Sequence, residues 1–108
     1  MKTSIDLVVL TFNDEKLKTL LIKRDEEPFK NDWAVPGYLI AENEDLNESI
    51  NIKLNSYFGY IPHYKQMEVF GNPDRHPDGH VITICFYVLI NIENTKINLP
   101  YEYKWINV

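Results

Sequence analysis

Apolar and β-branched residues dominate Ser4–Phe12, and this run of β-formers predicts a strand. The cluster Asn13-Asp14-Glu15-Lys16 supplies a turn, and Leu17–Arg24 alternates imperfectly as the hairpin partner. Asp25–Asp32 is polar, holds Pro28 and reads as a loop. Trp33-Ala34-Val35-Pro36-Gly37 leads into Tyr38–Ala41, an extended segment punctuated by Pro36, which lacks the N–H a ladder needs. From Leu46 the period changes: Leu46, Ile50, Leu54 and Phe58 recur every four residues and make the apolar stripe of a helix over 46–58. Asp45 is placed to cap its start, Glu48 completes a capping-box pattern, and Gly59 stands where a left-handed C-terminal cap is wanted.

Beyond Pro62, Tyr64–Gly71 reads as a strand and Asn72–Gly79 as a turn-rich loop. His80–Ile92 reads as a long strand, apolar enough to lie centrally in a sheet. Asn94–Pro100 is a connection, and Glu102–Val108 alternates as a last strand. Strands before and after one helix predict an α+β domain around a mixed sheet. That helix covers one sheet face. The other is left for a partner, or for residues beyond Val108 in a longer parent protein.

A length of 108 residues with 44% apolar, 13% aromatic and 25% charged residues sets one globular domain, 1–108, with enough core to fold without staples. The net charge of −5 argues against a phosphate-backbone binder, so no direct contact with nucleic acid is expected. A single cysteine, Cys85, excludes an intrachain disulfide framework and reads as a small core residue. The apolar run Val81–Ile92 is too short to span a bilayer, and Asp6 interrupts any signal core at the start. The expectation is a cytoplasmic domain with no membrane partner.

The segment from Leu20 to Gly59 resembles the Nudix family. The matching residues are Leu20-Leu21-Ile22-Lys23-Arg24, Pro28, Trp33-Ala34-Val35-Pro36-Gly37, Glu44, the amphipathic helix, and Gly59-Tyr60. The family's signature spacing is intact without a gap. Its charged chemistry is not: Tyr38 takes the place of the signature glycine, Ile52 that of the arginine, Lys53 that of a glutamate, and Ser56 and Tyr57 those of the two metal-binding glutamates. Positions 53, 56 and 57 share one helix side, where three carboxylates would form an oxygen site for Mg²⁺ or Mn²⁺. An ammonium, a hydroxyl and a phenol are poor ligands for such an ion. Further on, Phe70-Gly71-Asn72-Pro73-Asp74-Arg75-His76-Pro77-Asp78-Gly79 is similar to a loop of Nudix-related transcription regulators and of ADP-ribose-type Nudix hydrolases, with His76 and Asp78 departing from it. Tyr103–Val108 resembles the family's closing strand; the second helix that follows in the family is absent from this chain.

The resemblance implies a Nudix-like α+β domain, or the N-terminal part of a longer regulator whose winged helix would read DNA. With the metal-binding glutamates replaced, it implies a non-catalytic sensor for a phosphorylated nucleotide or sugar such as ADP-ribose, needing no cofactor and forming a homodimer. Arg24, Trp33, Gly37, Lys53 and Arg75 are the candidate ligand-binding residues, with no catalytic residue assigned. Lys53 would neutralise a pyrophosphate by charge, as the metal does in an enzyme. Arg75 either clamps a phosphate or pins its own loop. The alternating Asp74, His76, Asp78 and His80 invite a zinc reading or none. Two alternatives stand beside the sensor: a Mg²⁺- or Mn²⁺-dependent pyrophosphohydrolase using Glu44 and Glu48, and a structural dimerisation domain.

Overall fold

The structure, a computed structural model, describes residues 2–27, 29–70 and 81–108. Strand β1 (Lys2–Asn13) turns directly into β2 (Lys16–Lys23). The two loop residues, Asp14 and Glu15, both have positive φ (53° and 62°), the geometry that matches the natural twist of a two-residue hairpin. Lys18 braces the turn, 3.6 Å from the Asp14 carboxylate.

At their far ends β1 and β2 part, and the Trp33–Leu39 segment crosses the fork. Its first half, β3 (Trp33–Ala34), pairs with Ile22 and Lys23 of β2; its second half, β4 (Gly37–Leu39), pairs with Ser4–Asp6 of β1. Pro36 between them is fully buried, and its carbonyl accepts from the Leu7 amide at 2.8 Å. The predicted interruption at Pro36 is therefore the crossing point. Gly37 suits this close approach: a Cβ would lie 2.5 Å from Asp6 Oδ1, which would have to shift, and 3.1 Å from the Ile5 carbonyl oxygen, a tight contact.

Helix α1 spans Leu46–Phe58, as the stripe predicts. The Asp45 carboxylate accepts from the Glu48 amide at 3.1 Å, and Gly59 closes the helix at φ 79°, its N–H bonded to the Asn55 carbonyl. Strand β5 (His63–Phe70) follows, then β6 (Val81–Leu89) and β7 (Tyr103–Asn107). Strand β6 lies inside the sheet, parallel to β1 and antiparallel to β5, while β7 joins the free side of β2. The result is a seven-stranded mixed sheet with one helix, an α+β architecture.

Two expectations on β6 need correction. The strand ends at Leu89 rather than Ile92, because Asn91 turns its side chain onto the Glu93 amide and starts a 3-10 turn at Ile92–Asn94. Cys85 is half-buried rather than a core residue, since Phe86 and Val88 are the side chains that reach the core beside it. The core is formed by Ile5, Leu7 and Val9 of β1, Leu20 of β2, Phe86 and Val88 of β6, and Ile50, Leu54 and Phe58 of α1. Ile97 and Leu99 also pack on it, so the 94–100 connection shares with the helix the work of covering this face. The opposite face leaves Phe12, its cross-strand neighbour Leu17, and Leu89 exposed. Among the described residues no helix is long and apolar enough to cross a membrane.

Candidate functional site

Helical spacing places residues 53, 56 and 57 on one side of α1, and packing then separates them by depth. Tyr57 is buried at 7% exposure and belongs to the core, Lys53 is half-buried at its edge, and Ser56 is in solvent. The Lys53 ammonium lies 5.0 Å from the ring centroid of Tyr38 and 6.0 Å from that of Tyr57. Both are within the reach at which an aromatic quadrupole attracts a cation. Tyr38 comes from β4 and is tied to the helix by a hydrogen bond, 2.9 Å between its hydroxyl and that of the buried Ser49. Tyr64 of β5 donates to the Asn51 side chain at 2.7 Å, fixing the same helix from the next strand pair.

Lys53 thus lies within cation–π reach of two aromatic rings, Tyr38 from β4 and Tyr57 on its own helix. The arrangement holds one positive charge between two uncharged rings. Burial, with Tyr101 and Tyr38 adding through-space repulsion, pushes the Tyr57 phenol up to about 12. Burial also raises Tyr38; the Ser49 hydrogen bond opposes this, while Glu44 and Tyr64 add to it. Both phenols stay protonated at neutral pH, so they act on Lys53 through their π faces.

Two carboxylates near the helix start, those of Glu44 and Asp45, accept backbone amides. Glu44 Oε1 accepts from the Ala41 amide at 3.0 Å, and the Glu44 amide donates back to the Ala41 carbonyl at 3.1 Å. Asp45 is the helix cap, and Glu48 stands in the first turn. Among the described residues no three His, Cys, Asp or Glu side chains gather as a metal-binding group. An ammonium, a hydroxyl and a buried phenol do not fit a hard divalent cation.

The remaining candidates lie elsewhere. Arg24 follows β2 and lines a concavity of about 240 Å³ together with Lys23, Lys30 and Tyr101. Trp33 is 39% exposed, with the Lys104 ammonium of β7 4.2 Å from its ring centroid. Gly37 serves the close approach of β4 to β1 described above. Arg75, with Asp74, His76, Asp78 and His80, lies outside the described residues. The structure therefore brings together Lys53 with Tyr38 and Tyr57, and separately Arg24 with Lys23 and Lys30. Tyr38 and Tyr101 were not singled out as site residues from the sequence. For Tyr38 a signal existed, since it replaces a signature residue just as Lys53 does; for Tyr101 there was none.

No family model matches the chain. Among curated proteins, an ADP-ribose pyrophosphatase of Methanocaldococcus jannaschii is 41% identical over 70 residues, covering 64% of this chain and 41% of that protein. An ADPR-responsive transcriptional repressor, NtrR, of Acinetobacter baylyi is 30% identical over 110 residues, covering 97% of this chain and 44% of the repressor. The chain thus spans less than half the length of either relative. Among solved structures, the NUDIX domain of Shewanella oneidensis NrtR, crystallised with ADP-ribose, superposes with a TM-score of 0.79 at 29% identity, covering 97% of this chain and 71% of that one. The chain is a Nudix-like domain. Its resemblance runs to the Nudix-related transcription regulators and to the ADP-ribose pyrophosphatases, in agreement with the motif comparison.

Proposed function

We propose that this domain binds ADP-ribose, or a closely related phosphorylated nucleotide or sugar, without a metal and without hydrolysing it, as a sensor. The observation that carries this reading is Lys53. A fixed ammonium, steadied by Tyr38 and Tyr57, stands at the helix position where the Nudix pattern places a glutamate. It neutralises a pyrophosphate without generating an activated water, because an ammonium lowers no bound water's pKa as a metal does. The support from relatives is that NtrR is ADPR-responsive and that an NrtR NUDIX domain holds ADP-ribose.

Thermal melting with ADP-ribose, with and without Mg²⁺, tests it. Ligand at a hundred times its dissociation constant stabilises the folded state by about 2.7 kcal/mol, a shift of several degrees for a domain of this size. The expected result is a shift that chelator does not remove and that Lys53→Glu abolishes. A shift seen only with Mg²⁺, accompanied by release of AMP, overturns the reading in favour of a pyrophosphohydrolase.

A second reading is a pairing module, favoured by the exposed Phe12, Leu17 and Leu89 on the outer sheet face. It predicts a mass that doubles with concentration in sedimentation and falls back in Phe12→Glu.

A further inference from the structure

On α1 the residues Ser49, Lys53 and Tyr57 fall at i, i+4 and i+8, so they follow one another along a single line of the helix. Tyr38 of β4 runs beside that line. Its hydroxyl meets the Ser49 hydroxyl at 2.9 Å, and its ring centroid lies 5.0 Å from the ammonium of Lys53, one turn further on. One side chain from the sheet is therefore bonded at its tip to Ser49 and presents its ring to Lys53.

Ser49 is an uncommon choice for its place. It is 4% exposed, and a buried hydroxyl costs stability unless it is hydrogen-bonded. Alanine would suit the helix better and would leave no polar atom to satisfy. Nor does α1 depend on this bond for its seat. Ile50, Leu54 and Phe58 bury its apolar side. Tyr64 of β5 donates at 2.7 Å to Asn51, two residues on from Ser49 and so roughly on the opposite side of the helix. What the Ser49 hydroxyl adds is a fixed position for the Tyr38 ring, and so for the ammonium which that ring meets. Lys53 carries its charge on a flexible four-carbon stem, and immobilising such a stem on binding is a cost that a pre-formed site avoids.

We propose that Ser49 is a positioning residue for the Lys53 anion site, acting through Tyr38. The proposal rests on the reading of Lys53 as the group that meets the pyrophosphate. Calorimetric titration of the full chain with ADP-ribose in chelator tests both. Ser49→Ala and Tyr38→Phe each weaken binding about fivefold, the scale of ordering one long side chain. The double variant loses no more than either single one, since both substitutions cut the same link. Tyr64→Phe, which cuts the bond to Asn51, keeps affinity within about twofold. Carbon–proton NMR adds a readout that a change in stability alone does not move. Ring current shifts the Lys53 ε-methylene upfield in the parent chain, and Ser49→Ala moves it back towards the value of a solvated lysine. Unchanged affinity in Ser49→Ala, losses that multiply in the double variant, an equal loss in Tyr64→Phe, or an unmoved Lys53 resonance each overturns the positioning role. The anion site itself then stands if Lys53→Met binds about tenfold more weakly than the parent. Failure of the parent chain to bind overturns both.

Discussion

One side of α1 carries Ile50, Leu54 and Phe58, each at 3% exposure or less; the adjoining side carries the half-buried Lys53 and the exposed Ser56. The first side is what a Nudix-like helix needs in order to sit on its sheet, and it is apolar at every turn. The second is where the Nudix resemblance would place metal ligands, and in this chain it carries an ammonium and a hydroxyl. The difference shows that the two sides answer to separate physical demands. Burial of the stripe holds the helix whatever the polar side does. On the polar side the Lys53 charge has two aromatic faces within reach, those of Tyr38 and Tyr57.

The sharpest way to break this separation is Leu54→Ala. Emptying a fully buried leucine site costs about 2–5 kcal/mol, which urea denaturation would register as a large drop in midpoint. Ligand affinity of the molecules that remain folded stays unchanged. A loss below about 1 kcal/mol would mean that the stripe does not hold the helix.

Lys53 gives the converse case. Lys53→Met keeps the stem between the two rings and costs about 1 kcal/mol or less in stability, the scale of the lost cation–π contacts. It weakens ADP-ribose binding about tenfold or more by calorimetry. Unchanged affinity would remove Lys53 from the site. Asp45→Ala tests the helix end that both sides share, with an expected loss of about 1 kcal/mol from the exposed amide of Glu48 and no change in affinity.

The smallest effect is one of pH. Folded, the Tyr57 phenol is held at about 12, against 10.0 for a free tyrosine, so the folded state keeps this proton when the unfolded chain has lost it. Its contribution to stability is full below the unfolded value and declines as pH rises from there through the folded one. Denaturation midpoints measured across that alkaline window should fall less steeply for Tyr57→Phe than for the parent chain. Equal slopes would mean that Tyr57 titrates like an exposed tyrosine.

Much of this molecule is determined by short-range pattern. The helix bounds, its Asp45 and Gly59 caps, the Asn13–Lys16 turn and the extended, interrupted Trp33–Ala41 segment all follow from residues within a few positions of one another, where propensity and hydrogen-bond geometry act directly. The Nudix resemblance also singled out Lys53 as a candidate ligand-binding residue. What tertiary structure decided is everything that depends on residues distant in sequence. It set the crossing of the β1–β2 fork at Pro36 and the share of core cover supplied by Ile97 and Leu99. It set the meeting of Tyr38 with Lys53 and Tyr57, and the bridge by which the Asn98–Glu102 segment ties α1 to β2. The physical reason is that a local pattern specifies which face of an element is apolar, whereas the neighbour that meets its edge is chosen only when the whole sheet closes.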